Sequence, residues 1–340
     1  MSKQRKIVRW LLLVVIGVGS ALFFLLDNSS ARRLGSHDSA IENVAFIRNG
    51  RLLVSASPGT YTEHGGLGPG SDTTVRLWSV DEPKQLNQFP SCGGSNVHSM
   101  AVCEKLNIIG IACYQQGMFC ALDLLTGEPL WKISIPSEVM DGLIIPDSSE
   151  SALFWTNSGT IYSLDLKTRQ LEWQIRAHTD SIYEVDVSSD GKRLVSCSHD
   201  KFVRLWSTQS REMIFQTNCD SRYIKESVSI NTCGTTILAA DYSGCYKFDE
   251  STSWSLEKIF LDKDTGRLDF NSVRNQFMVT RNRDIKLYNC STIDFHSRLD
   301  YAGRVRFPRN VNCLAISNSG NSVAVGCNSG AIYVSPLRSD

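Results

Sequence analysis

From about residue 36 to the C-terminus, short runs rich in Val, Ile, Phe, Tyr and Leu alternate with clusters of Gly, Asn, Asp and Ser every eight to twelve residues. Helical periodicity is almost absent, and short apolar runs at that spacing predict an all-β chain. One stretch departs from the pattern. Trp10 to Leu26 (WLLLVVIGVGSALFFLL) runs seventeen residues without a charge and is closed by Asp27. As a helix it would be about 25 Å long, the short end of what crosses a bilayer. It has no polar stripe, which separates it from a helix of a globular core.

The β runs recur as a larger unit. The sharpest anchors are TVRLWSV (74–80) and FVRLWST (202–208). Weaker echoes are FCALDL (119–124), IYSLDL (161–166), YKFD (246–249), IKLYN (285–289) and IYVSPL (332–337), about 40 to 47 residues apart, giving seven units. A period of that length ending in an RLW strand is the sequence form of a four-stranded propeller blade. One such sheet cannot bury both faces alone, whereas a ring of them buries each face against a neighbour and leaves only short edges. Residues 36–340 are therefore expected to form one domain.

The segment AHTDSIYEVDVSSDGKRLVSCSHDKFVRLWS (177–207) resembles a WD repeat (WD40) in nearly every position. The resemblance implies an all-β, seven-bladed WD-repeat β-propeller, with a structural tetrad in each well-kept blade. By that resemblance His178 enters the blade, Ser198 lies on the second strand, Asp200 in the tight turn and Trp206 on the third strand. The first unit repeats the set as His37, Ser57, Asp72 and Trp78. The implied chain of hydrogen bonds runs from indole N–H through hydroxyl and imidazole to carboxylate, matching each buried polar group to a partner. The other five units keep the hydrophobic pattern and lose the tetrad. Units two and three, GMFCALDLLTGEPLWKI (117–133) and GTIYSLDLKTRQLEWQI (159–175), also resemble quinoprotein-like propeller repeats. In that alternative the protein is an exported, eight-bladed propeller with a redox cofactor or assembly role, and Trp131 and Trp173 are outer-strand residues packing between blades.

His178 and His37 each belong to a Ser–His–Asp set, which invites a hydrolase reading. The same spacing occurs twice and ends both times at a Trp, so the structural reading is preferred and no enzyme is expected. No nucleophile elbow, phosphate-binding loop, HExxH or EF-hand pattern is present. No cofactor and no metal site are expected. The feature that the repeat does not explain is PGTYTEHGGLGPG (58–70), thirteen residues between the second and third strands of unit one. Its glycines and prolines exclude a strand or helix. By the resemblance it lies on the face where WD domains bind partners, and Tyr61, Glu63 and His64 are its candidate contact residues.

Composition adds the compartment question. Lys+Arg and Asp+Glu both number 35, and a neutral balance argues against a general nucleic-acid binder. Lys3, Arg5, Lys6 and Arg9 precede the apolar run without an acid among them. Residues 1–9 then read as a basic cytoplasmic N-terminus and 10–26 as a single-pass transmembrane signal anchor, with the propeller on the exported side. A cleaved signal peptide with Ser29-Ser30-Ala31 at its end is the alternative. Residues 27–35 read as a linker or a strand that closes the ring, and cleavage after Ala31 would shorten that strand. Eleven cysteines, an odd count with no CxxC pair, fit neither a zinc site nor full pairing. Cys113, Cys197 and Cys327 fall at matching places in second strands and read as small buried hydrophobes. The function these observations point to is a membrane-tethered scaffold that binds a protein or peptide partner on a propeller face.

Overall fold

The computed structural model describes residues 31–59, 71–91, 97–113, 117–135, 138–146, 149–218, 227–241, 244–260, 267–271, 273–274, 276–289 and 301–337. The apolar segment 10–26, its basic flank 1–9 and the contact residues Tyr61, Glu63 and His64 lie outside them. Among the described residues no helix is long and apolar enough to cross a membrane.

The described residues form seven four-stranded antiparallel sheets. The seven anchors are the third strands: Thr74–Ser79, Met118–Asp123, Thr160–Asp165, Phe202–Ser207, Gly244–Asp249, Asp284–Asn289 and Ala331–Pro336. The first strands are Asn43–Ile47, Val97–Cys103, Met140–Ile144, Ile182–Val187, Ser227–Ile230, Leu268–Asn271 and Val311–Ile316. Each first strand touches the first strand of the next blade around a ring. Second and third strands carry near-continuous apolar runs because neighbouring blades cover both of their faces. Ile108–Cys113, for example, is buried at every position. Outer strands alternate, as Gln170–Arg176 does, since one face meets a neighbour and the other meets water. The ring has seven blades, so the eight-bladed alternative does not hold.

Burial is concentrated between blades. Val54, Val75 and Leu77 of blade one meet Ile109, Ile111 and Cys120 of blade two. Leu153 and Ile161 of blade three meet Ile182, Val185 and Leu194 of blade four. Trp131 stacks on Phe119 at 5.4 Å, and Trp173 packs between blades three and four. Both tryptophans sit on outer strands (Pro129–Ser134 and Gln170–Arg176), although seven WD-type blades account for them without a quinoprotein relative.

The ring closes through the N-terminal segment. Arg32–Ser36 pairs antiparallel with Ala331–Pro336 as the fourth strand of blade seven. Its Leu34 joins Ile41, Phe46, Trp78, Ile332 and Val334 in the cluster between blades seven and one. Gly35 lies under the indole of Trp78, where any side-chain carbon would overlap the ring. Because the strand starts at Arg32, a chain cleaved after Ala31 would keep every paired residue. Strand closure therefore does not separate anchor from signal peptide.

Candidate functional site: the tetrads and the upper face

His37 and His178 enter blades one and four from the loops that precede their first strands, and both are buried. In blade four, Nδ1 of His178 lies 2.9 Å from Oδ1 of Asp200 and Nε2 lies 2.8 Å from Oγ of Ser196. The indole N–H of Trp206 donates to the same hydroxyl at 3.1 Å. Blade one repeats this with His37, Asp72 (3.0 Å), Ser55 (2.8 Å) and Trp78 (2.8 Å). One tautomer satisfies the whole chain: the hydroxyl donates to Nε2, and Nδ1–H donates to the carboxylate.

The tetrad serines are therefore Ser55 and Ser196, not Ser57 and Ser198. Leu194 pairs with Trp206 and Ser196 with Arg204, so Ser196 and Ser198 share one face of the second strand. Ser196 is the diagonal neighbour of Trp206, and Ser198 is about 7 Å further along, beyond the reach of the indole N–H. Ser57 and Ser198 instead donate to the carbonyls of Ala40 (2.8 Å) and Asp180 (3.1 Å), tying the tight turn to the entering loop.

A fifth member was missed. Arg76 and Arg204 sit four residues after the tetrad aspartates and pair with them at 2.7 Å. Each also donates to the carbonyl before its histidine: Arg76 to Ser36 at 2.7 Å and Arg204 to Ala177 at 2.9 Å. The arginine shared by the two VRLW anchors was the available signal.

Electrostatics follow from burial. Desolvation pushes the His178 imidazole down to about 4, against the upward pull of Asp200. His37 is lowered for the same first reason. Both aspartates are held below the usual carboxylate range: burial pushes them up and is overcome by histidine, and for Asp200 also by Arg204. Each set thus has a neutral histidine and an ionised, fully bonded carboxylate.

The sets have the composition of a hydrolytic triad without its accessibility. Ser55 and Ser196 have no exposed surface, and each hydroxyl oxygen already accepts an indole N–H. No approach remains for a substrate carbonyl.

The tetrad loops and tight turns define an upper face. On it His199 stacks on Tyr183 at a centroid distance of 4.0 Å, and Ser181 of blade four donates to Asp141 of blade three at 2.6 Å. Strand Arg32–Ser36 runs toward this face, ending beside His37. At its start Arg32 donates to the carbonyls of Val80 and Asp81 in the turn between the third and fourth strands of blade one, on the opposite, lower face.

The family model described as WD domain, G-beta repeat matches residues 28–79 and 169–207, the two blades that hold the tetrads. The chain carries WD40 repeats. Outside those blades the WD40 pattern survives as strand order rather than as motif. Relatives share it at low identity. Eukaryotic translation initiation factor 3 subunit I of Bombyx mori is 23% identical over 230 residues, covering 53% of this chain and 67% of that protein. Striatin-4 of Mus musculus is 24% identical over 208 residues, covering 59% of this chain, and this WD40 chain spans only 26% of striatin-4. Among solved structures, that titled "Structure of U3-55K" superposes with a TM-score of 0.76 at 13% identity, covering 92% of this chain and 99% of that one. "Crystal structure of RRP9 WD40 repeats" gives 0.77 at 14% identity, covering 92% and 98%. At these identities the structural likeness establishes the propeller and nothing finer.

Proposed function

We propose that this protein is a non-enzymatic interaction scaffold that presents a protein or peptide partner with the upper face of a WD40 propeller, tethered to a membrane through residues 10–26. The observation that carries the reading is the polarity of strand Arg32–Ser36. It begins at the lower face and ends in the tetrad loop of blade one, so whatever precedes Arg32 leaves from the lower face. A membrane anchor there turns the upper face away from the bilayer. The scaffold role is supported by the tetrads, which hold the loops of that face rigidly and leave no reactive serine. Rigid loops on a fixed scaffold suit recognition.

In this reading the N-terminus is cytoplasmic and the propeller stands on the exported side. Cys120, buried in blade two, is disulfide-bonded, and such bonds persist in oxidising compartments, which favours that orientation. Proximity labelling in native membranes tests both parts. Labelled proteins from the exported side, lost when 58–70 is deleted, are the expected result. Labelling confined to cytosolic proteins would overturn the orientation, and no specific labelling from either side would overturn the scaffold.

A further inference from the structure

Among the described residues seven large hydrophobic side chains are exposed, and all seven lie toward the lower face. Blade one shows Leu86, blade two Leu125 and Leu130, blade three Leu171, and blade four Met213 and Ile214. Val273 stands on the turn between the first and second strands of blade six. Each third strand runs down from its tight turn, so each fourth strand starts at the lower face. Leu171 and Met213 oppose Leu164 and Trp206, the next-to-last residues of their third strands. Leu86 and Leu130 occupy the bulges beside Trp78 and Leu122, at the same level. Single exposed leucines are ordinary on a protein surface, but a face that collects all of them marks a contact.

Neighbouring blades join this band. Asn87, next to Leu86, donates to the carbonyl of Leu125 at 3.3 Å. The guanidinium of Arg169, two residues before Leu171, lies 5.8 Å over the ring of Trp131, next to Leu130. Exposed Lys84, Lys132, Arg169 and Arg211 each stand two residues from a member of the band. Long basic side chains beside leucines suit a membrane interface, where the stem lies along apolar surface and the charge reaches the headgroups. Glu82, Glu128, Glu172 and Glu212 balance the four cations, which matches a zwitterionic lipid surface and not an anionic one.

The axis is apolar at the same end. Ala45, Val102, Ile144, Phe270 and Ile316 line a cavity of about 480 Å³ that reaches the lower turns at Val273 and Asn318. The upper half of the axis is lined by Glu42, Asp141, Glu184, Asp186 and Asp269. Burial raises all five carboxyls, that of Asp269 to about 8. The propeller is therefore acidic toward its upper face and apolar toward its lower one, and only the lower end suits contact with lipid.

Residues 27–31 separate Leu26 from Arg32 and span at most about 18 Å. Arg32 is fixed to the lower turn of blade one through the carbonyls of Val80 and Asp81. We infer that the lower face rests on the lipid surface of the bilayer that residues 10–26 cross, with the apolar edge of blades one to four set among zwitterionic headgroups. This rests on the tethered reading above and adds what the propeller itself touches. A second copy stacked on the lower face does not fit. Six-residue strands alone make a blade about 20 Å high, more than residues 27–31 reach. The convex rim of the ring also offers no groove for a partner helix. Contact is deepest at blades one to four, which leaves Cys233, exposed on the lower turn of blade five, in water.

Photocrosslinking of the full-length protein in phosphatidylcholine vesicles tests this. Benzoylphenylalanine replaces, one at a time, Leu86, Leu130, Leu171 or Ile214, with Thr179 of the upper face as the exposed control. Flotation with the vesicles after alkaline carbonate reads the tether separately. The expected result is protein that floats and gives lipid adducts from each band position at least tenfold above those from Thr179. In the triple variant Leu125→Gln, Leu130→Gln, Leu171→Gln, adducts from positions 86 and 214 are expected to fall at least fivefold with flotation unchanged. The three leucines are exposed, so the variant folds as the parent does. Band adducts no more frequent than those from Thr179, in protein that floats, overturn the seating and leave the tether standing. So do band crosslinks to a second copy of the chain, or to residues 10–26 of the same chain. Protein that does not float after carbonate overturns the tether, and the seating with it.

Discussion

The Oγ of Ser196 lies 2.8 Å from Nε2 of His178 and is the single hydroxyl that joins the indole of Trp206 to the imidazole. Removing it in Ser196→Ala takes the partner from a partly buried indole N–H and from a buried ring nitrogen. The expected cost is about 1–3 kcal/mol. Ser198→Ala loses one bond, to the Asp180 carbonyl, and is expected to cost about 1 kcal/mol or less. Paired denaturant titrations decide it, and a larger loss in Ser198→Ala would return the tetrad to Ser198.

That pair also shows how far the chain could be read without coordinates. The strand order was legible because each third strand carries an apolar run at a 40- to 47-residue period, and periodicity is a local signal. His, Asp and Trp of both tetrads were legible because each is the single residue of its type at that point of the repeat. The serine was not: Ser196 and Ser198 are the same chemistry on the same face, and only the pairing register with Arg204 and Trp206 shows which hydroxyl meets the indole. The axial carboxylates were hidden for another reason. Glu42, Asp141, Glu184, Asp186 and Asp269 come from four blades spread over 228 positions, 42 to 269, and leave no motif in the sequence.

Among the contacts that close the ring, Gly35 packs beneath Trp78. Trp78 is 3% exposed, whereas Trp206 of blade four is only partly buried. Trp78→Ala is therefore expected to cost about 3–5 kcal/mol and Trp206→Ala less, despite the matching motif. Gly35→Ala, which forces a methyl against the indole, is expected to cost about 1–3 kcal/mol. Thermal melts of the three variants rank them. A Gly35→Ala midpoint equal to the parent's would mean that the N-terminal strand does not seat against blade one.

Acid sensitivity follows from His178. Its folded-state value of about 4 lies below the ordinary 6.5, so between those pH values the unfolded chain holds a proton that the folded chain refuses. Its contribution to stability is full above about 6.5, falls as pH drops through the window and is gone below about 4. Over the whole window that is on the order of 3 kcal/mol. The axial carboxylates, raised by burial, act in the opposite sense, so the measurement is a difference between parent and His178→Gln at each pH. The parent is expected to lose stability relative to the variant from pH 7 to 4. A constant difference would show that folding leaves the titration of His178 unshifted.

Thiol reactivity separates the described cysteines by depth. Cys113, Cys197 and Cys327 are fully buried in second strands, whereas Cys233 is exposed. Burial pushes the thiols of Cys113 and Cys327 up to about 11 and that of Cys313 up to about 12, and thiol rather than thiolate is a poor nucleophile. With a maleimide on the native protein, mass-spectrometric mapping is expected to find Cys233 modified first, and Cys113, Cys197, Cys313 and Cys327 only after denaturant. Applied to intact and then opened cells with a membrane-impermeant maleimide, the same site becomes a topology reporter. Labelling of Cys233 in intact cells supports an exported propeller. Protection until the cells are opened, with full reactivity afterwards, would place the propeller in the cytosol, where eleven cysteines would meet a reducing environment.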